Sequence, residues 1–157
     1  MIKEQINILL ADDDNDDCTF FKNAIQGLPL QTSLTAVHDG EQLIAYLTLH
    51  PQSLPHVIFL DLSMPRKTGF ECLSEIKTNQ KWKDIPVFVF STSFTRDLNY
   101  ERNLMNTLSV IGAEEYIRKP ADFEQLKLVI HKALNKIMAA KLIAAAPLIL
   151  LTPPNQS

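Results

Sequence analysis

Glycine is scarce in this sequence, with four residues among 157, and the phosphate-binding loop GxxxxGK(S/T) does not occur. Nothing in the sequence therefore indicates a site that holds a nucleoside triphosphate. Cysteine is scarce as well: Cys18 and Cys72 lie far apart, and neither belongs to a CxxC or Cys/His cluster. We interpret both as small buried hydrophobic residues rather than as a disulfide or a metal pair.

Signals for several other kinds of chemistry are missing too. The four histidines are dispersed, without cysteine or aspartate at zinc-ligand spacing, and no GxSxG sequence marks a serine nucleophile. The net charge is −3, and Lys and Arg are scattered along the chain instead of forming a basic stripe. These absences argue against a zinc enzyme, a serine hydrolase and a protein that binds nucleic acid directly.

Long apolar runs are few. The N-terminal sequence MIKEQINILLADDD lacks the apolar stretch of a signal peptide, so we expect a cytoplasmic protein. Near the other end, residues 137–151 are apolar but are interrupted by Lys141 and Pro147, and this run is too short to span a bilayer comfortably. We therefore expect no membrane span.

Short apolar runs alternate regularly with longer amphipathic segments along the chain. The predicted strands are Asn7–Ala11, Ser33–Val37, Val57–Asp61, Val87–Ser91 and Glu115–Ile117. The predicted helices are Asn15–Gly27, Gly40–Leu49, Gly69–Thr78, Arg96–Ile111 and Asp122–Met138. The continuous apolar runs VIFL and VFVF indicate strands buried on both faces, as in parallel sheets covered by helices. The sequence predicts one α/β domain with a doubly wound parallel sheet.

Polar residues follow the predicted strands at the edge where ligands bind in such sheets. Strand one ends at Asp12 and Asp13, strand three at Asp61, strand four at Ser91 and strand five at Lys119. Three neighbouring carboxylates repel one another, and a hard divalent cation such as Mg²⁺ relieves that repulsion. A hydroxyl and an ammonium on the same edge suit a ligand with anionic oxygens. The pattern predicts a magnesium and phosphoryl site, in which an aspartate can be the covalent acceptor.

These residues resemble the receiver domain of two-component response regulators, the family of the chemotaxis response regulator. The resemblance runs from about Ile6 to about Lys136, with every signature position in order. It implies a flavodoxin-like fold of five parallel strands in the order 2-1-3-4-5, within a receiver domain over residues 5–138. The sequences DLSMP and STS are similar to those of small stand-alone receivers associated with bacterial phytochrome kinases.

The resemblance also implies a role for each site residue. Asp61 would accept a phosphoryl group from a sensor histidine kinase or a phosphotransfer protein. Mg²⁺, for which Mn²⁺ would substitute, would be bound by Asp13, Asp61 and the backbone carbonyl of Ser63, with Asp12 acting through a bound water. Lys119 would neutralise phosphoryl oxygens. Such a protein catalyses only its own phosphorylation and dephosphorylation, so we expect a signalling switch and not an enzyme.

The switch itself is predicted to couple two strands. Ser91 would move toward the phosphoryl group, and Tyr116 on strand five would fill the vacated space. The surface formed by helix four, strand five and helix five, called here the output surface, would then change its protein contacts. The sequence after Ser91 is longer than in a minimal receiver, which predicts an extended loop or a longer helix four.

Three local features follow from the same resemblance. A cis peptide bond is implied between Lys119 and Pro120. Gly69 matches the loop glycine of the family, where a positive φ favours a residue without a Cβ. Thr92 stands where many relatives have a small alanine, and we expect its bulk to narrow access to Asp61 and to slow phosphate loss.

The acidic run ADDDNDD is predicted to divide between two roles. Asp12 and Asp13 belong to the metal site. Asp14 is the expected N-cap of helix one, and Asp16 and Asp17 lie in its first turn, where negative charge is favoured by exposed N–H groups. The run would therefore join a metal site to the start of a helix.

The segment 139–157 is expected to be an apolar helical extension or a disordered tail. Helix five begins after an N-cap candidate, Asp122, and beyond Met138 the pattern is apolar on all sides except at Lys141, until it stops at Pro147. An apolar helix has to be covered. We therefore expect this tail either to dock a partner or to form a homodimer together with the output surface, and we favour the homodimer.

Two other interpretations remain open. Asp12 and Asp14 have the D-x-D spacing of haloacid-dehalogenase-like phosphohydrolases, in which Asp12 would be the nucleophile, although the Thr or Val expected just beyond is missing and no cap-domain sequence is present. The second interpretation is a pseudo-receiver, which binds partners without being phosphorylated. We favour the stand-alone receiver because the polar residues occur jointly at all the expected strand ends and the chain leaves no room for a helix-turn-helix module after residue 138.

Overall fold

The computed structural model describes residues 5–91 and 97–150, with side chains described as far as Lys141. Five strands alternate with five helices. The strands are β1 (Ile6–Ala11), β2 (Thr32–Val37), β3 (Val57–Asp61), β4 (Val87–Ser91) and β5 (Glu115–Arg118). The helices are α1 (Asn15–Gln26), α2 (Gly40–Leu49), α3 (Gly69–Thr78), α4 (Leu98–Ile111) and α5 (Phe123–Leu150).

The strands form one parallel sheet in the order β2-β1-β3-β4-β5. This topology confirms the predicted fold class and strand order. Every residue of β3 and β4 is buried, as the runs VIFL and VFVF predicted. The order reverses beside β1, which places the carboxyl ends of β1, β3 and β4 next to one another at the edge where ligands bind.

The sheet separates two apolar layers, because successive side chains of a strand point to opposite faces. One layer contains Leu60 of β3 and packs against α2, α3 and α4. The other layer contains Phe59 and packs against α1 and α5, where the rings of Phe21, Phe59 and Phe90 contact one another. Helices on both faces hold the sheet rigidly, and this rigidity fixes the positions of the residues at the strand ends.

The helix starts follow the predicted capping residues. Asp14 accepts hydrogen bonds from the backbone N–H groups of Asp16 and Asp17, which confirms it as the N-cap of α1. Asp122 accepts one from Gln125 at the start of α5. Each such cap satisfies N–H groups that have no partner within the helix.

Helix α5 is longer than predicted. It continues from Phe123 to Leu150, beyond the predicted bound at Met138 and through Pro147. Proline lacks the N–H that would bond the carbonyl four residues earlier and its ring crowds that carbonyl, and the helix ends within one turn of it. The predicted apolar extension is therefore helical as far as Leu150. Residues 151–157 lie outside the described part of the chain. Within the described residues, no helix combines the length and apolar character needed to cross a membrane.

The two cysteines differ in their surroundings. Cys72 is fully buried in the layer beneath α3, as the sequence indicated. Cys18 is only half-buried, and its Sγ donates a hydrogen bond to the backbone oxygen of Asp12 at 3.5 Å. Both thiols are free, and burial raises the pKa of each to about 11. They are therefore protonated at neutral pH.

Candidate functional site

The predicted site residues come together at one edge of the sheet. Asp61 is the last residue of β3, Ser91 is the last residue of β4, and Asp12 directly follows β1. These three side chains are almost completely buried, with exposed fractions of 6%, 1% and 2%. Polar side chains are rarely buried to this degree unless they are paired, so the edge combines strong desolvation with concentrated charge.

The ammonium of Lys119 provides the positive charge at this edge. Its Nζ lies 2.5 Å from Oδ2 of Asp12, 3.1 Å from Oδ2 of Asp17 and 3.6 Å from Oδ2 of Asp61. The first two contacts are hydrogen bonds, whereas the third is an ion pair at longer range. The backbone N–H of Lys119 donates to the carbonyl of Ser91 at 2.9 Å, which fixes the end of β5 beside β4.

Three carboxylates form the acidic part of the site. Carboxylate oxygens of Asp12, Asp13 and Asp61 all lie within 4.8 Å of one another. Asp12 and Asp61 are buried, whereas Asp13 is exposed and so leaves the cluster open to solvent. Oxygen ligands at this spacing are what Mg²⁺ and related hard cations prefer.

Ser63 lies in the loop after β3. Its backbone N–H donates to Oδ1 of Asp61 at 3.2 Å, so the loop holds one carboxylate oxygen in place. The other oxygen of Asp61 faces Lys119. The predicted role of the Ser63 carbonyl as a metal ligand stays a prediction, as do the catalytic roles of Asp61, Ser91 and Lys119.

The surroundings raise the pKa of both Asp61 and Lys119, but for different reasons. Burial raises the pKa of Asp61 from 3.8 to about 6; Lys119 and the Ser63 N–H oppose that rise, and the charges of Asp12 and Asp13 add to it. Burial alone would lower the pKa of Lys119, but its hydrogen bond to Asp12 and the charge of Asp61 raise it above the ordinary value. Lys119 is therefore charged at neutral pH. Asp61 is ionised at neutral pH as well, although burial favours its neutral form.

Asp17 is the residue that sequence reasoning missed. We assigned it only to the first turn of α1, but its carboxylate binds Lys119 across the site. The Cβ atoms of a helix tilt toward its N-terminus, so an acid in the first turn of α1 points back toward the sheet edge. This tilt is the signal that indicates a second role for Asp17.

The sequence model of the response regulator receiver domain matches residues 8–131. This chain belongs to the response regulator receiver family. Members of this family are signalling domains that bind a divalent metal and interact with histidine kinases or phosphotransfer proteins. The family assignment confirms the resemblance carried by the strand-end residues, and it gives no support to the phosphohydrolase alternative.

Similar proteins come from several organisms. This receiver is 34% identical over 128 residues to the probable methanogenesis regulatory protein FilR2 of Methanothrix harundinacea, covering 80% of this chain and 79% of that protein. It is 34% identical over 94 residues to response regulator Rcp1 of a Synechocystis strain, covering 57% and 64%. It spans only 27% of two longer curated relatives, so receivers of this kind also occur as parts of larger proteins.

Among solved structures, the receiver is similar to the phosphorylated cyanobacterial phytochrome response regulator RcpA. The TM-score is 0.75 at 28% identity, and the match covers 87% of this chain and 96% of RcpA. This likeness confirms the predicted similarity to phytochrome-associated receivers.

The switch residues occupy adjacent strands. Tyr116 pairs in register with Val89 of β4, and its half-buried ring packs in the layer beneath α2, α3 and α4. Ser91 lies at the end of β4 and pairs with Arg118. The movement predicted for Ser91 and Tyr116 stays a prediction. Thr92, predicted to narrow access to the acceptor, lies outside the described residues.

Helix α4 has 14 residues, and it begins at Leu98 rather than Arg96. Asp97 caps it by accepting from the N–H groups of Asn99 and Tyr100. The preceding residues 92–96 are outside the described part of the chain. The starting point of α4 is therefore set by its cap.

Two expectations about the receiver loops are wrong. The bond between Lys119 and Pro120 is trans, since no cis peptide occurs in the described residues. Nothing in the structure explains this difference from the resemblance.

Gly69 does not have a positive φ, which in the described chain is found at Arg66 and Gly112. Glycine is required at position 69 for space, because a Cβ there would come within 2.5 Å of the Asp61 backbone oxygen and 2.7 Å of Leu62 Cα.

We expect Gly69→Ala to destabilise the receiver by about 1–3 kcal/mol, the usual range for overpacking. The added methyl group meets backbone atoms at the end of β3 and just beyond it, which cannot rotate away. Gly27→Ala is the control, since its Cβ would lie 3.1 Å from the flexible end of Lys127 and 3.6 Å, an ordinary contact distance, from the Ala24 backbone oxygen. Urea unfolding of both variants measures the effect, and equal stabilities would show that the close approach at Gly69 has no consequence.

Proposed function

We propose that this protein is a stand-alone response regulator, which accepts a phosphoryl group on Asp61 and then changes its protein contacts. The observation that carries the proposal is the burial of Asp61 at the end of β3, beside the carboxylates of Asp12 and Asp13 and the Lys119 ammonium. The likeness to RcpA, which extends over 96% of that chain, supports the stand-alone arrangement. The phosphoryl donor would be a sensor histidine kinase or a phosphotransfer protein.

Mg²⁺ is the metal that we propose for the acidic cluster, with Mn²⁺ as a substitute. The structure of the Mn²⁺-bound form of Rcp1 has the same fold, at 23% identity and a TM-score of 0.69. In this chain, three carboxylates converge, and the raised pKa of Asp61 reports the repulsion and desolvation that a cation would relieve. Asp13, Asp61 and the carbonyl of Ser63 would hold the ion, with Asp12 acting through water. Bound there, it would neutralise charge on the carboxylates and on the incoming phosphoryl oxygens.

The chain's own residues would perform the transfer by positioning. A carboxylate oxygen of Asp61 attacks phosphorus, the N–P bond of the donor phosphohistidine breaks, and its electron pair returns to the imidazole ring. The product is an acyl phosphate on Asp61. Lys119, whose Nζ lies 3.6 Å from Oδ2 of Asp61, would then shift to neutralise the phosphoryl oxygens, and the Ser91 hydroxyl would donate a hydrogen bond to one of them. Attack by water on phosphorus would later release phosphate and restore the carboxylate.

The output surface would carry the signal to a partner. Helix α4 exposes several large apolar side chains, and α5 adds two more. They are Leu98, Tyr100, Met105 and Val110 in α4 and Leu128 and Met138 in α5. Arg118 of β5 binds Glu101 of α4 at 2.6 Å, so a change at the end of β5 would reach α4 directly. We propose that a homodimer forms through this surface and the α5 extension, to be checked by light scattering at tens of micromolar.

The metal affinity of the site is expected to depend on pH. Metal binding requires the ionised form of Asp61, whose pKa is about 6. The affinity for Mg²⁺ should therefore be constant above about pH 7 and fall by up to about tenfold per pH unit below pH 6, as protons compete with the ion. Calorimetric titration at several pH values measures this dependence. A profile that falls only below about pH 4 would contradict the raised pKa.

The proposed function is tested by offering the protein acetyl phosphate or phosphoramidate with and without Mg²⁺. We expect the intact protein to gain one phosphoryl group in the presence of Mg²⁺ and none with a chelator. A copurified histidine kinase provides the second donor. Failure of the folded protein to gain a phosphoryl group from any donor would instead support the pseudo-receiver interpretation.

A further inference from the structure

We propose that Asp17 is a positioning residue, which holds the Lys119 ammonium on the α1 side of the site until Asp61 is phosphorylated. Asp17 would thereby compete with the phosphoryl group for this ammonium. The inference rests on the proposed function, since it requires that Asp61 be the acceptor and that Lys119 contact the phosphoryl oxygens.

The contacts of Lys119 are unequal in length. An ammonium has three N–H donors. Two hydrogen bonds go to Asp12, which directly follows β1, and to Asp17 in the first turn of α1. Oδ2 of Asp61 lies 3.6 Å away, beyond a good hydrogen bond. The resting ammonium is therefore bound on the α1 side, and it has to shift toward Asp61 to contact a phosphoryl group there.

The carboxylate of Asp17 is not used to cap its own helix. In α3, the equivalent third residue is Glu71, whose side chain accepts from the backbone N–H of the N-cap Thr68. In α1, the corresponding N–H, that of Asp14, donates instead to Oδ1 of Asp12 at 3.0 Å. Asp17 therefore has no helix-capping hydrogen bond of this kind, and its described partner is the lysine ammonium.

The exposed fractions of Asp12 and Asp17 indicate that their contacts with Lys119 differ in strength. The Asp12 side chain is 2% exposed, whereas that of Asp17 is 38% exposed. The contact with Asp12 is a buried ion pair, but the contact with Asp17 is partly screened by solvent. Asp17 is therefore suited to release Lys119 reversibly, with an effect on equilibria of about two- to fivefold, as for other exposed ion pairs.

The test compares Asp17→Asn with Asp16→Asn. Both variants remove one negative charge from the first turn of α1, and both keep the backbone hydrogen bonds to Asp14. Asp16 is exposed, and no ion pair with Lys119 is found for it in the described residues. Because both variants lose the same charge, a difference between them measures the loss of the contact with Lys119.

Two quantities are measured in the presence of Mg²⁺: the initial rate of Asp61 phosphorylation by phosphoramidate, and the affinity for beryllium fluoride, a mimic of the phosphoryl group. Asp17→Asn should raise both by about two- to fivefold relative to Asp16→Asn. Asp17→Glu, which retains a carboxylate, should bring both back toward the wild-type values. The difference should narrow as ionic strength rises from about 0.15 M to about 1 M, because the Debye length falls from about 8 Å to about 3 Å.

A purely structural role for Asp17 would not give this salt dependence or the rescue by glutamate. Values for Asp17→Asn that equal or fall below those of Asp16→Asn, while the wild type is labelled on Asp61, would overturn the inference alone. Absence of label on Asp61 in the wild type would overturn the proposed function and the inference with it.

Discussion

Replacing Asp61 with Asn is expected to abolish phosphorylation and, at neutral pH without Mg²⁺, to stabilise the folded protein. Asparagine has nearly the same shape but no nucleophilic carboxylate. Burial raises the pKa of Asp61 from 3.8 to about 6, so the ionised side chain destabilises the fold at neutral pH. A shift of this size corresponds to about 3 kcal/mol at most, and we expect a gain of about 1–3 kcal/mol in the free energy of unfolding.

The pH dependence of this gain has a definite sign. Because the folded pKa of Asp61 is above the unfolded value, the folded protein binds a proton between about pH 4 and pH 6 that the unfolded chain releases. Wild-type stability contributed by Asp61 is therefore lost as the pH rises through this window. The advantage of Asp61→Asn should be full above about pH 7 and small below about pH 4.

Urea unfolding in the presence of a chelator measures this difference at each pH. Asp16→Asn is the control, because it removes an exposed carboxylate from the first turn of α1 and should leave phosphorylation intact. An Asp61→Asn protein that is less stable than the wild type at pH 7.5, or that is still phosphorylated at the wild-type rate, would contradict the assignment of Asp61.

Replacing Lys119 with Met is expected to cause the largest loss of stability. The ammonium lies within 3.6 Å of carboxylates from Asp12, Asp17 and Asp61, two of which are buried. Its removal leaves these charges without a counterion, and breaking a buried ion pair in this way typically costs about 3–5 kcal/mol. We also expect the affinity for beryllium fluoride to fall by at least about tenfold, since one charge-assisted donor is lost.

Mg²⁺ should recover part of the stability lost in Lys119→Met, because a bound cation restores positive charge to the same carboxylates. Lys136→Met is the matched control: its ammonium lies 4.0 Å from Glu115 and its side chain is exposed, so the expected loss is at most about 1 kcal/mol. Chemical unfolding with a chelator and then with Mg²⁺ gives both values. Equal losses in the two variants would show that the Lys119 cluster contributes no special stability.

The sequence predicted the fold well where local patterns and burial agree. The continuous apolar runs of β3 and β4 could only be accommodated in a sheet covered on both faces, and both strands have the predicted bounds. The convergence of Asp12, Asp61 and Lys119 followed from the rule that parallel strands carry their ligands at their carboxyl ends. Helix α5 was predicted less well, because proline near the end of a helix perturbs few hydrogen bonds.

The parts of the site that escaped sequence reasoning depend on the distances between separate elements. The contact of Asp17 with Lys119 joins α1 to the end of β5, and its length is set by how both elements pack on the sheet. The requirement for glycine at position 69 arises from a close approach to the backbone of Asp61 and Leu62, not from its own torsion angles. Such approaches follow from tertiary packing, which local sequence patterns do not specify.

The central claim is that Asp61 is the phosphoryl acceptor. The most direct measurement is to phosphorylate the protein with phosphoramidate and Mg²⁺, reduce the acyl phosphate with borohydride and locate the modified residue by peptide mass spectrometry. We predict that Asp61 is converted to homoserine and that Asp12 is unchanged. Modification of Asp12, or modification that persists in the Asp61→Asn variant, would contradict the claim.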